Sequence, residues 1–580
     1  MIARLPETDP ALHRAFQNAL RRADGESRLV RETGRFPLCG RGDVNTYSIF
    51  AELKRNVLSQ AGRVGCIVPS GIATDDTTKF FFQDLMQNQS LHSLFIFENE
   101  GKLFPGIDHR NKFALLTISG ELVESKAVDI VFGVNSVEEL SEKERHFTLT
   151  AEDIALLNPN TRTCPIFRYK QDAELTKYIY RRLPVLVREP QEKQSEENPW
   201  GVKFMTMFHM ANDSGRFRTK EQLEAEGFAL NGNIFTCGED VYLPLNEGKM
   251  FWHFDHRFGT YEGQTQAQAN QGKLPELTPA QHADPDFFSL PRYWVAEKEI
   301  KVRVPKRPEM LASALELPDP RRNEAIIKTF CYWAAGYWRK AGDEEQAKKL
   351  LAVALRPSVT DTQIDVLNKW LLDVQCEKMQ ERFPLDIADV NRMTTFPADP
   401  IALADELLDR FSPHWFMVFR DVTNAVVQRT VVFSIIPRIA VGHKAPLVFT
   451  DKAPTDTCCF LAAMNSFPLD YVARQSIGGS SMSYFILKQL PIVTTDIVNE
   501  LCPWDGQLLS LGLWIMPRVL ELSSTARDIM ALSTGCNYNG PPFAWSEERR
   551  RIIRAELQAA PLPPYLGRGV ERQANASTEL

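Results

Sequence analysis

The sequence predicts an α/β fold, an incomplete doubly wound sheet followed by a longer mixed α+β region. Three observations carry this. Short apolar runs alternate with helical periodicity between residues 44 and 134. Two of those runs are joined by a Gly/Pro loop with no helix, which predicts an antiparallel hairpin closing the sheet edge. From about Ser136 the pattern dissolves into basic, then aromatic and Gly-rich, then helical, then strand-like stretches.

Taken in order, "VNTYSIFAELKRNVLSQ" (Val44–Gln60) sets Val44, Tyr47, Phe50, Leu53 and Val57 on one helical face. Ala61-Gly62 stops that helix. "RVGCIVP" is a continuous apolar run, predicted as a strand covered on both faces and ended by Pro69. Thr74 or Asp75 is expected to cap the next helix, which carries Phe80, Phe81, Leu85 and Met86. "LHSLFIFEN" and "KFALLTISG" are the hairpin strands around the loop "LFPGIDH", and "AVDIVFGV" is one more strand. The expected units are 1–135, 136–310, a helical 311–410, a strand-rich 411–563 and a disordered tail, 564–580. "CCFLAAMNSFPLDYVARQ" is expected to be a helix.

The chain has 580 residues, 44% hydrophobic and 24% charged, so it holds several domains' worth of ordinary globular sequence. A formal net charge of −7 gives no global argument for nucleic acid, which then requires a local basic patch. Ten cysteines without a CxxC pair read as reduced, mostly buried thiols, and no structural zinc pattern is visible. The N-terminus lacks a signal-peptide core, and no apolar run approaches a membrane span; the expected setting is cytoplasmic, with no membrane partner.

The segments "GDVNTYSIF", "GRVGCIVPSGI" and "NEGKLFPGIDHRNKFALL" resemble the second half of the catalytic domain of gamma-class adenine-N6 DNA methyltransferases, of the Type IIG restriction-modification and phage-defence kind. "ALLNPNTRTCPIF", "YLPLNEGKMFWHFDHRFGTY", "RDVTNAVVQRTVVFSIIP" and "LAAMNSFPLDYVARQ" are similar to the target-recognition portion of the same proteins. The resemblance implies a Rossmann-like class I methyltransferase sheet that begins upstream, with a glycine-rich turn holding S-adenosylmethionine and a strand ending in Asn-Pro-Pro-aromatic. Neither element occurs in these 580 residues. Asn198-Pro199-Trp200 is a near match but follows "QEKQSEE" and reads as a solvated loop; Asn158-Pro159-Asn160 reads as a turn.

One catalytic-domain residue carries over. The resemblance implies that Phe104 packs on the flipped-out adenine, with Pro105-Gly106 shaping its loop. Asp108 and His109 are a weaker acid–base alternative, with Arg110 beside them. For DNA, Lys177, Arg181 and Arg182 lie in a basic stretch with Lys170 and Arg188, while Arg420, Arg429, Arg438 and Lys444 punctuate the later strands. Phe251, Trp252 and Phe254 read as core.

The expectation is therefore part of a site-specific adenine-N6 DNA methyltransferase, inactive alone, whose complete enzyme uses S-adenosylmethionine and double-stranded DNA; a separate chain carrying the N-terminal half of the catalytic domain is a candidate partner. Two alternatives stand beside it: a non-enzymatic DNA-specificity subunit that pairs with a separate catalytic chain, and a decayed gene fragment.

Overall fold

The computed structural model describes residues 5–559, apart from 109–110, 124–126, 192–193, 320, 359–370, 373, 396–398 and 503–508. The expected tail thus lies outside the described residues, as do His109 and Arg110.

The first sheet is built as the α/β pattern requires. Its strands are β1 (Arg63–Pro69), β2 (Leu91–Glu98), β3 (Lys112–Ser119), β4 (Val128–Val134) and β5 (Phe147–Leu149), in the order β1-β3-β2-β4-β5. Both β1 and β2 pair antiparallel with β3, so they run parallel to each other with β3 between them. The helix Lys79–Gln87 makes the crossover from β1 to β2, burying Phe81, Phe82, Leu85 and Met86. The predicted hairpin is present but does not close the sheet: β4 adds parallel to β2, and β5 adds beyond it, so the sheet runs to Leu149. Thr78 occupies the cap position of the crossover helix, because Gly71–Thr74 and Asp76–Thr78 already form short helical turns of their own.

Two expectations about this unit are corrected. The strand β1 is covered on one face only: Cys66 and Val68 are buried, whereas Ile67 on the other face is 58% exposed. In the helix Thr46–Asn56, Ser48, Ala51 and Glu52 face the core, while Phe50 is 59% exposed and Val57, just past its end, 74%. The apolar periodicity was legible, but of that face only the Tyr47 side packs against the core, and Phe50 and Val57 stay exposed. β1 also pairs on one side alone. Before it, the helix Pro10–Glu32 has no buried residue.

Two further sheets follow. One runs Trp294–Ala296, Asp240–Asn246, Ile234–Cys237, Ala229–Asn231, with Ala440–Val441 parallel to Asp240–Asn246. The other runs Phe433–Pro437, Trp415–Phe419, Leu447–Phe449, Lys203–Met205, all antiparallel. Helices between Glu309 and Phe411 enclose a core of their own around Phe330, Trp333 and Leu407. The expected single helix after Thr457 is two, Pro454–Met464 and Phe467–Arg474, because Ser466 caps a new helix with Pro468 in its first turn. Trp200 is not in a solvated loop. It is fully buried, its indole N–H donating 2.8 Å to the Val493 carbonyl and its ring meeting Phe460 at 5.3 Å. Asn158 and Asn160 do form a turn after the helix Ala151–Leu157, with side chains bonded to the Thr163 and Val187 carbonyls at 2.8 Å each. The ten cysteines are free, nine of them buried. No helix of the described residues is long and apolar enough to cross a membrane.

The segment around Phe251–Tyr261 ties the strand-rich region to the C-terminal helices. Arg257, buried, donates to four carbonyls: Asp284 (2.8 Å), Phe287 (2.9 Å), His282 (3.0 Å) and Thr525 (3.1 Å). His256 and His282 meet Asp528 (2.9 Å) and Asp255 (3.2 Å). His253 bonds the Val431 carbonyl at 2.8 Å. Burial, reinforced by the guanidinium of Arg429, pushes its imidazole down to about 3. The unfolded chain takes up this proton near the ordinary histidine value, about 6.5, which the folded chain refuses. Stability is therefore expected to fall as pH drops from about 6.5 toward 3. Urea denaturation at pH 7 and pH 5 checks this, and His253→Gln should flatten the slope; an unchanged slope removes His253 from the account.

Candidate functional site

Ligands of open α/β sheets sit outside the carboxyl ends of the parallel strands. Here β1 ends at Pro69 and β2 at Glu98, both on the edge where β3 begins, and the Ser70 amide donates 3.1 Å to the Lys112 carbonyl. Two loops rise there.

The first runs from Ser70 to Asp76. Gly71 is required, since a side chain there meets the Asp75 carboxylate and the Tyr47 hydroxyl. Burial raises the Asp75 carboxyl above its ordinary range. Burial, and then Asp75, push the Tyr47 hydroxyl up to about 12. This turn is packed by its own side chains and is no open cradle for S-adenosylmethionine.

The second is the Phe104 loop. Asn99, fully buried at the end of β2, accepts the Phe104 amide (3.0 Å) and donates to the carbonyls of Phe104 and Ile107 (3.1 Å each). One side chain therefore fixes both limbs of the loop. The ring of Phe104 is half-buried and stands perpendicular to Phe113, centroids 4.9 Å apart; Phe113 in turn stacks on Phe97 at 5.2 Å. Leu103 and Ile107 flank it, exposed. The sequence reading missed Asn99, although an Asn directly after a strand and before a Gly/Pro loop is the signal for such a clamp. Asn99→Ala is expected to leave buried backbone groups unpaired, at about 1–3 kcal/mol, and to free the loop locally. Hydrogen exchange across residues 100–111 reads this directly, and unchanged protection contradicts it.

The predicted cations do not converge on one face. Lys177 is buried in the helix Lys170–Tyr180, 2.7 Å from Glu174 and 3.5 Å from Asp153. Arg420 donates to the carbonyls of Gly248 (2.8 Å) and Phe251 (2.7 Å) and lies over the Trp252 ring at 4.6 Å; burial pushes its guanidinium down to about 10. Arg429 donates to the Asn465 carbonyl (2.6 Å) and faces Asp470 at 3.5 Å. These three geometries correct the expectation of phosphate contacts, since each charge is turned inward to a fixed partner. Arg438 pairs with Asp409 at 3.0 Å and Lys444 with Asp421 at 2.6 Å. Lys444 nonetheless stands near Arg420, both packed against Gly248, where no side chain fits beneath the Lys444 carbonyl. Arg181 and Arg182 are exposed, Arg182 lying over Tyr178 at 3.4 Å. Phe251 and Phe254 are core, and the Trp252 ring holds Arg420.

No family model matches the chain, and no curated protein matches it. Solved structures similar to it include two restriction-modification proteins. One is the Type IIL restriction-modification enzyme MmeI in complex with DNA, at 8% identity and a TM-score of 0.34, over 89% of this chain and 48% of that one. The other is the type IIG restriction endonuclease BpuSI, at 10% identity and a TM-score of 0.24, over 95% of this chain and 53% of that one. The chain spans about half the length of each. Likeness at this level carries no argument, and the functional reading rests on the chain's own residues and geometry.

Proposed function

We propose that this chain is the carboxyl-terminal part of a site-specific adenine-N6 DNA methyltransferase of the restriction-modification or phage-defence kind, carrying the remainder of the catalytic sheet and the target-recognition region. The observation that carries this reading is β1. It is a strand unpaired on one side, beside the uncovered apolar residues Phe50, Val57 and Ile67, in a sheet whose reversed strand β3 lies between parallel β1 and β2. That order matches the edge arrangement of class I methyltransferases, whose cofactor-bearing strands lie on the far side of this position. A segment bearing the glycine-rich turn and the Asn-Pro-Pro-aromatic motif, whether in the same protein or in a partner, would continue the sheet from β1 and bring S-adenosylmethionine to the Phe104 edge. Phe104 would then stack on the extruded base while the strand-rich region reads the duplex.

Alone, the chain is expected not to bind S-adenosylmethionine, because its turn after β1 is closed. Isothermal titration tests this, and micromolar binding contradicts the reading. Duplex binding by the isolated chain should be weak and salt-dependent. Of the predicted cations, the exposed Arg181 and Arg182 are the ones we assign to phosphate. Neutralising both is expected to lower the salt slope by about 1–2, a loss shared by all sequences. Fluorescence anisotropy at two salt concentrations measures it, and an unchanged slope takes the pair out of the interface.

A further inference from the structure

A cavity of about 340 Å³ lies where the helices Lys170–Tyr180, Pro454–Met464, Phe467–Arg474, Leu511–Ser523 and Glu547–Ala559 meet. Its walls are apolar, among them Ile179, Phe254, Leu469, Ile492, Trp514 and Leu557. Among its lining residues one charged side chain appears, Arg554. Among the described residues, no carboxylate lies within ion-pair distance of that guanidinium.

The surroundings make the unpaired charge harder to sustain. Arg550, one turn back on the same helix, is buried, with Nε and Nη2 lacking partners. Arg429 also has an Nε without a hydrogen bond, and its carboxylate neighbour Asp470 is shared with Arg474 and two backbone amides. The charges of Arg429 and Arg550 both repel that of Arg554. Arg429 keeps its ion pair with Asp470 and Arg550 lies near Asp255, so Arg554, half-buried beside the cavity, is the cation left without a carboxylate among the described residues, and an anion placed next to it is favoured. An apolar cavity with few convergent polar groups is also the ordinary form of a small-ligand site.

We propose that this cavity binds a small anionic amphiphile, an apolar body carrying one carboxylate, sulfonate or phosphate, whose anion pairs with Arg554. The body lies along Leu469, Ile492 and Trp514. Such chemistry exists both as free long-chain carboxylates and as membrane lipids; the cavity opens to solvent between its helices and its volume of about 340 Å³ takes one small body, which favours the free molecule over a two-chain lipid.

The test is isothermal titration of the full chain with decanoate, followed in parallel by the fluorescence of its tryptophans, of which Trp514 lines the site. Decanol serves as the uncharged comparison, and phosphatidylglycerol vesicles as the lipid arm. Saturable decanoate binding is expected. Arg554→Gln should weaken it about tenfold or more, bringing it to the level of decanol. Ala463→Phe, which fills the cavity without touching a charge, should abolish it. Absence of decanoate binding overturns the proposal, as does equal affinity in either variant. Binding confined to vesicles overturns it in favour of a membrane contact. An Arg554→Gln variant that keeps decanoate affinity but loses duplex binding reassigns the guanidinium to DNA phosphate.

Discussion

Replacing Phe104 with alanine is expected to cut adenine methylation about tenfold or more once the chain is paired with the segment that completes its sheet, since a stacked base is worth about 1–3 kcal/mol. The argument starts from the loop. Asn99 clamps it from below, Phe113 holds the ring perpendicular, and Leu103 and Ile107 make its surroundings apolar. Under the proposed function, a flat base would lie on this flat, half-buried aromatic at the carboxyl end of β2, which has no polar group of its own. The loss should therefore fall on positioning of the base. Phe104→Tyr, which keeps the ring, should retain most activity. Tritiated methyl transfer to plasmid DNA measures both variants, and full activity of Phe104→Ala removes the residue from the site.

The largest stability effect is expected at Arg257. Its guanidinium joins carbonyls of residues 282, 284, 287 and 525, so Arg257→Met takes that donor from the buried His282 and Thr525 carbonyls and from the part-buried Phe287 carbonyl. A loss of about 3–5 kcal/mol is expected, the range for removing one partner of a buried charged arrangement. Arg257→Lys should recover little, because one ammonium cannot span acceptors that a planar fork reaches together. Urea denaturation gives the number, and a change below about 1 kcal/mol for Arg257→Met contradicts this role.

The local patterns were legible in sequence, and the partners were not. The alternating runs between Val44 and Val134 gave the strands and the crossover helix, since periodicity depends only on near neighbours. The coverage of β1 was not legible: "RVGCIVP" is apolar throughout, and only the fold shows Ile67 exposed beside an unpaired edge. Arg420 was legible as a cation between apolar runs, but the carbonyls it bonds lie about 170 residues earlier, at Gly248 and Phe251. For the same reason Trp200 read as solvated, because its polar leader "QEKQSEE" says nothing of the Val493 carbonyl that receives its indole. Asp255, His256 and Arg257 sat in a quoted motif, yet their partners His282, Asp528 and Arg550 come from later in the chain.

Co-expression tests the central claim most directly. The chain is paired with a segment that carries the glycine-rich turn and the Asn-Pro-Pro-aromatic motif, and tritiated methyl transfer from S-adenosylmethionine to plasmid DNA is measured for the pair and for each part. The account predicts N6-methyladenine from the pair alone, with those amides of β1 that do not bond β3 protected from hydrogen exchange only in its presence. Methyl transfer by the isolated chain, or a stable pair that leaves those amides exchanging freely and adenine unmodified, contradicts it.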